Sequence, residues 1–109
     1  MSSIGYRQGN ALFEMRTVPN SGQTLTVSDT PVQLHADAVP PNGKVIRVMA
    51  VAGDATYTTD GSTPNPATGQ GFALFEGDSL YLSHRQAQDL RLIRNGVDDA
   101  DIYSEALRY

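Results

Sequence analysis

From Gln23 onward, apolar and polar residues alternate in short runs, and turn residues separate the runs at intervals of about 8 to 12 positions, as in a sandwich or barrel. Leu25 and Val27 alternate with Thr24 and Thr26. Ser28-Asp29-Thr30-Pro31 then turns the chain, and Val32 and Leu34 alternate about Gln33, which predicts a hairpin or a corner. Pro40-Pro41-Asn42-Gly43 fixes φ at two positions and then offers residues tolerant of positive φ, so another turn is expected there. A long apolar strand follows from Lys44 to Val51. It has Ile46, Val48 and Ala50 on one face and Val45, Arg47, Met49 and Val51 on the other, so both faces should be partly covered, as in a central strand.

Gly53-Asp54 breaks that strand. Ala55 to Thr59 resumes with Tyr57 between threonines, and Asp60-Gly61 with Pro64-Asn65-Pro66 makes a long turn region in which the prolines forbid a ladder. Phe72 to Phe75, the turn Glu76-Gly77-Asp78, and Ser79 to Ser83 read as a hairpin. Asp89 to Arg94 and Ala100 to Tyr103 read as a second one across Asn95-Gly96, a type I′ turn signal. Two segments compete as helices, Arg85 to Asp89 and Asp98 to Tyr109. Strand is preferred for Ala100 to Tyr103, because Asp89 to Arg94 needs a partner. The expected fold is all-β: a small antiparallel β-sandwich or jelly-roll-like barrel of about seven to eight strands.

Residues 1 to 20 show neither periodicity, and they read as an extended N-terminal arm. Residues 1–22 are assigned to the arm and 23–109 to the sandwich domain. A solvated tail is usually poorer in large apolar groups, so Tyr6, Leu12, Phe13 and Met15, with Arg16 beside them, are the candidate protein-interface residues. They could pack on another subunit or on the chain's own domain.

Composition narrows the function. The 109 residues suffice for one core. With no cysteine, disulfides and thiolate chemistry are excluded, and neither a secretory apolar stretch nor the roughly 18 apolar residues of a membrane span is present. A net charge of −4 argues against nucleic-acid binding, which needs clustered cations. The cations are seven Arg and only Lys44, a bias that suits interfaces. His35 and His84 stand in no metal-ligand spacing. Asp98, Asp99 and Asp101 lack the spacing and central Gly of a calcium loop, and no nucleophile elbow appears. These features point to a binding or structural protein rather than an enzyme, with no cofactor expected.

The run Tyr57-Thr58-Thr59-Asp60-Gly61-Ser62-Thr63-Pro64 resembles the Y-T-x-D-G-S-x-P hairpin of the small β-sandwich appended to chitobiase-like enzymes, over these eight residues alone. It also resembles a D-G-x-x-P turn in small tailed-phage virion proteins, and there the order continues. Gly69, Gly71-Phe72-Ala73-Leu74, Glu76-Gly77-Asp78, Leu80-Tyr81-Leu82, Leu90-Arg91-Leu92-Ile93 and Ala100 to Tyr103 follow in turn, so the resemblance spans roughly Thr24 to Tyr103. It implies a capsid decoration (cement) protein on the virion surface, made in the host cytoplasm. Its partners would be the major capsid protein or other virion subunits, and it would be a homo-oligomer with a trimer favoured. A tail, neck or fibre-associated module of the same fold is the alternative. A carbohydrate-binding module comes third, with Tyr57 and Tyr81 as stacking candidates in a chain without Trp.

Overall fold

The computed structural model describes residues 15–109. In chain order its elements are β1 (Arg16–Thr17), β2 (Gln23–Val27), a 3-10 turn (Ala36–Ala38), β3 (Val45–Ala52), β4 (Ala55–Thr58), β5 (Phe72–Leu74), β6 (Ser79–Ser83), α1 (His84–Asp89), β7 (Arg91–Arg94) and β8 (Ala100–Arg108). The eight strands form two antiparallel sheets. In the larger, β8 pairs with β1 and β2 along one side and with β3 on the other, and β6 lies beyond β3; in the smaller, β4 runs between β5 and β7. The all-β sandwich expected from the alternation is the observed architecture.

Alternation explains the core. Ile46, Val48 and Ala50 of β3 are fully buried, as are Ala100, Ile102 and Ala106 of β8. They meet Val27 and Leu82 of the same sheet and Ala55, Leu74 and Leu92 of the other. Each fully buried Ile or Leu contributes about 1.5–3 kcal/mol. The opposite face of β3 is half-buried at Val45, Arg47 and Met49 and exposed at Val51, matching the partial cover expected. β3 shares the interior of its sheet with β8, which is nine residues long and continues as strand through the segment that competes as a terminal helix.

The three short connections read as hairpins or a corner all carry the chain from one sheet to the other. After Pro31, the Val32 N–H and C=O exchange hydrogen bonds with Leu92 of β7 at 2.9 Å each, so Val32 bridges to the smaller sheet rather than pairing with β2. β5 and β6 belong to different sheets, as do β7 and β8. Neither Asn95 nor Gly96 takes the positive φ that a type I′ turn demands. Instead the Asn95 N–H donates to the Asp54 carbonyl at 2.9 Å. Turn chemistry reverses the chain, but burial of apolar faces decides which sheet receives the next strand.

One such corner is tightly specified. A bulge between Ala50 and Ala52 ends the regular β3–β8 pairing, and Gly53 follows at φ +75°, where an added Cβ would come within 2.9 Å of the Asp99 carbonyl oxygen. The Gly53 N–H donates to Glu76 Oε1 and the Glu76 N–H donates to Asp54 Oδ1, both at 2.8 Å, locking the turn between β5 and β6 onto the corner.

Part of the segment read as arm is built into the domain. β1 pairs with the end of β8, Val18 is buried, and Ser21 fills the break between β1 and β2. The buried Ser21 hydroxyl donates to the Val18 carbonyl at 2.7 Å and accepts from the Ala106 N–H at 3.0 Å, satisfying a β8 donor that neither short strand reaches. The helix competitor at Arg85 to Asp89 is realised as α1. Ser83 caps it, accepting from the Gln86 N–H at 3.2 Å, while the Gln86 side chain accepts from the Ser83 N–H at 3.0 Å.

Candidate functional site

Of the arm residues singled out as interface candidates, Tyr6, Leu12 and Phe13 lie outside the described residues. Met15 is half-buried and Arg16 is exposed in β1, directly opposite Arg108. Like charges facing each other across a ladder are unfavourable. Neither guanidinium has an acidic partner among the described residues, so this edge presents paired positive charge on a chain of net charge −4. The point at which the N-terminal segment joins the domain is therefore a surface suited to an acidic partner.

A second surface is the outer face of the larger sheet. Register places Arg47 between Glu105 and Tyr81, Met49 between Tyr103 and Ser79, and Val45 between Leu107 and Ser83. Side chains directly opposite in an antiparallel sheet share a face, so apolar groups surround one ion pair there. Arg47 Nη1 donates to Glu105 Oε2 at 3.3 Å, with both side chains largely covered, and the Tyr103 hydroxyl donates to Glu105 Oε1 at 3.3 Å. Burial against the sheet, then the charge of Glu105, hold the Tyr103 phenol above its ordinary value. Tyr81 stays half exposed at the margin. Arrays of this kind, apolar with a fixed ion pair, suit protein contacts better than chemistry.

The loop bearing the Tyr57 to Pro64 motif forms a third feature, an open groove of about 330 Å³ lined by Thr58, Asp60, Ser62, Gln70, Gly71 and Phe72 among others. The Asp60 carboxylate accepts from the Ser62 hydroxyl at 2.5 Å and from the Ser62 N–H at 3.0 Å, which holds its carboxyl below the ordinary carboxylate range. Thr58 Oγ1 donates to the Ser62 carbonyl at 2.5 Å, and Asn65 exchanges backbone bonds with Gln70 at 2.8 and 2.9 Å. Gly71 at φ +110° lets β5 enter beside β4, since a Cβ there would lie 2.7 Å from the Tyr57 carbonyl oxygen. The polar groups are spent on shaping the loop. Phe72 is exposed and packs against Tyr57 with ring centroids 5.9 Å apart, whereas Tyr81 belongs to the other sheet, so Tyr57 and Tyr81 form no common stacking platform.

The remaining polar candidates are dispersed. His35 caps the 3-10 turn, its Nδ1 accepting from the Asp37 N–H at 3.2 Å. His84 opens α1, with its Nε2 buried and without a partner among the described residues. Asp99 pairs with Arg94 at 2.8 Å and Asp101 accepts from Thr26 at 3.3 Å, so the acidic run from Asp98 to Asp101 does not converge. Among the described residues, no group of three His, Asp or Glu side chains could hold a metal ion. No family model, curated protein or solved structure matches the chain.

Sequence reasoning misses the Arg47, Glu105 and Tyr103 cluster. The signal is half present: Arg47 alternates with Val45 and Met49 on one face. Glu105 falls in a segment where strand and helix compete, which hides the register that joins them.

Proposed function

We propose that this chain is a non-enzymatic phage virion structural protein, a head decoration (cement) protein that binds and stabilises the capsid shell. The order of turns and strands from Thr24 to Tyr103 supports the reading, and so does the all-β sandwich that carries them. The observation that carries it is the junction of arm and domain. The described residues alone bury a core running from Val18 to Ala106. The arm joins at the sheet edge through β1, beside the paired Arg16 and Arg108. On this reading Tyr6, Leu12, Phe13 and Met15 are the residues that bind a neighbour on the capsid surface, whose acidic groups would meet the arginines.

The energetics fit a repeating lattice. Each large apolar side chain buried on attachment contributes about 1.5–3 kcal/mol, against about 1–2 kcal/mol for each backbone residue fixed. A single arm gains little. Several copies acting on one shell raise the effective concentration and make attachment durable.

The test adds purified protein to tailed-phage heads lacking it and measures bound copies per shell and survival of the heads on heating. The proposal expects saturation at a fixed ratio to capsid subunits and heads that survive higher temperature. Unsaturable or absent binding, with no gain in survival, overturns it.

A further inference from the structure

Among the described residues, β6 is the outermost strand of the larger sheet, paired with β3 on one side only. The Ala50 N–H donates to the Asp78 carbonyl at 3.1 Å, in register with the β3–β6 ladder. Antiparallel pairs alternate, so Leu80 and Leu82 turn their backbone groups toward β3 while Ser79, Tyr81 and Ser83 turn theirs outward. The Ser83 N–H is occupied by Gln86 in the cap of α1, whereas none of the described backbone bonds engages the outward groups of Tyr81. Exposed edges are usually blunted by charge, proline or a bulge, but β6 reads Ser-Leu-Tyr-Leu-Ser and pairs with β3 without a register shift.

That sequence is the same in both directions. We propose that β6 pairs antiparallel with β6 of a second copy of this chain, about a two-fold axis through Tyr81, joining two five-stranded sheets into one of ten strands. Tyr81 then faces the partner's Tyr81, Leu80 the partner's Leu82, and Ser79 the partner's Ser83. Faces match: the leucines, buried at Leu82 and half-buried at Leu80, continue the core side, and the half-exposed tyrosines meet on the outer side. Tyr81 exchanges two hydrogen bonds with its counterpart, and each Ser79 N–H reaches the partner's Ser83 carbonyl. The ladder stops where the cap of α1 has taken the Ser83 N–H.

Charge complements the register. Beyond the ladder, α1 follows Ser83 directly and Asp78 precedes Ser79, so Arg85 lies at the same end of the seam as the partner's Asp78. Arg85 is 84% exposed, held only by an i,i+4 pair with Asp89 at 3.3 Å, and Asp78 is exposed without a cationic partner among the described residues. Symmetry makes the contact twice. An isologous pairing of this kind closes on itself and removes the edge, which a three-fold arrangement of the same strand would not do. The inference does not depend on the virion reading.

Full-length protein tests it. The chain has no cysteine, and residues facing each other in a hydrogen-bonded antiparallel pair have Cα atoms about 5.5 Å apart, within disulfide reach. Mild oxidation of Tyr81→Cys should give a covalent dimer, while Val97→Cys, 87% exposed on the loop before β8, should not. Wild type should sediment as a dimer at about 100 μM and Tyr81→Lys as a folded monomer, since lysines would face each other at the axis. Arg85→Glu should weaken the dimer about tenfold, and adding Asp78→Arg should restore it. Wild type sedimenting as monomer or trimer, or Tyr81→Cys linking no faster than Val97→Cys, would overturn the proposal. So would β6 pairing only with a strand from another protein.

Discussion

Replacing Ser21 by alanine removes a buried side chain that spans the break between β1 and β2. Its hydroxyl is 1% exposed with its residue, donates to Val18 and accepts from the Ala106 N–H. The Val18 carbonyl keeps a second donor, the Ser21 N–H at 3.1 Å, so its loss is small. The Ala106 N–H has no such replacement and is left buried, at a cost of about 1–3 kcal/mol. For a domain near this size that lowers Tm by about 4–12 °C. Urea unfolding followed by circular dichroism measures it, with Thr24→Ala on the exposed side of β2 as the control, expected within about 0.5 kcal/mol of wild type. A Ser21→Ala variant as stable as the control would show that β8 does not need the serine, and that β1 is not stitched to the domain in this way.

Three further outcomes follow from the same geometry. Deleting residues 1–14 should leave the melting transition cooperative, whereas deleting 1–20 removes β1 and the buried Val18 and should lower Tm markedly; equal melting of the two would refute the placement of β1. Gly53→Ala should destabilise by about 1–3 kcal/mol in urea unfolding, because its φ of +75° is strained for alanine and the Cβ would press on the Asp99 carbonyl. The Tyr103 phenol should ionise above its ordinary value of 10.0 in an ultraviolet titration assigned with Tyr103→Phe, and Glu105→Gln should bring it down. Because the folded value is the raised one, the associated stability is complete below about pH 10 and is lost as pH rises through the folded value. A titration at the ordinary value would refute the contact.

Strand positions were legible because alternation is a local property. Ile46, Val48 and Ala50 could be assigned to one face from their spacing alone, and burial made that face the core. The capping signature of α1 was also present, as Ser83 followed by Gln86 three residues later, although neighbouring strand signals competed with it. Partnering was not legible. The short turns at Glu76 to Asp78 and Asn95 to Gly96 fit hairpins locally, and Ser28 to Pro31 fits a hairpin or a corner equally well. In the fold they cross between sheets, since both sheets need apolar strands to close one core. For the same reason the Arg47 and Glu105 pair, 58 positions apart, emerges only once β3 and β8 are in register. The arm's apolar residues stood out by composition, yet nothing in their spacing showed that Val18 and Ser21 belong to the domain.

The most direct test of the central claim is particle occupancy with and without the arm. Full-length protein and a variant lacking residues 1–14 are mixed with tailed-phage heads lacking this protein, and bound copies are counted after co-sedimentation. The account predicts that full-length protein saturates the shells while the folded truncated protein remains in the supernatant. Equal occupancy by both would contradict attachment through the arm, and no occupancy by the full-length protein would contradict the decoration role itself.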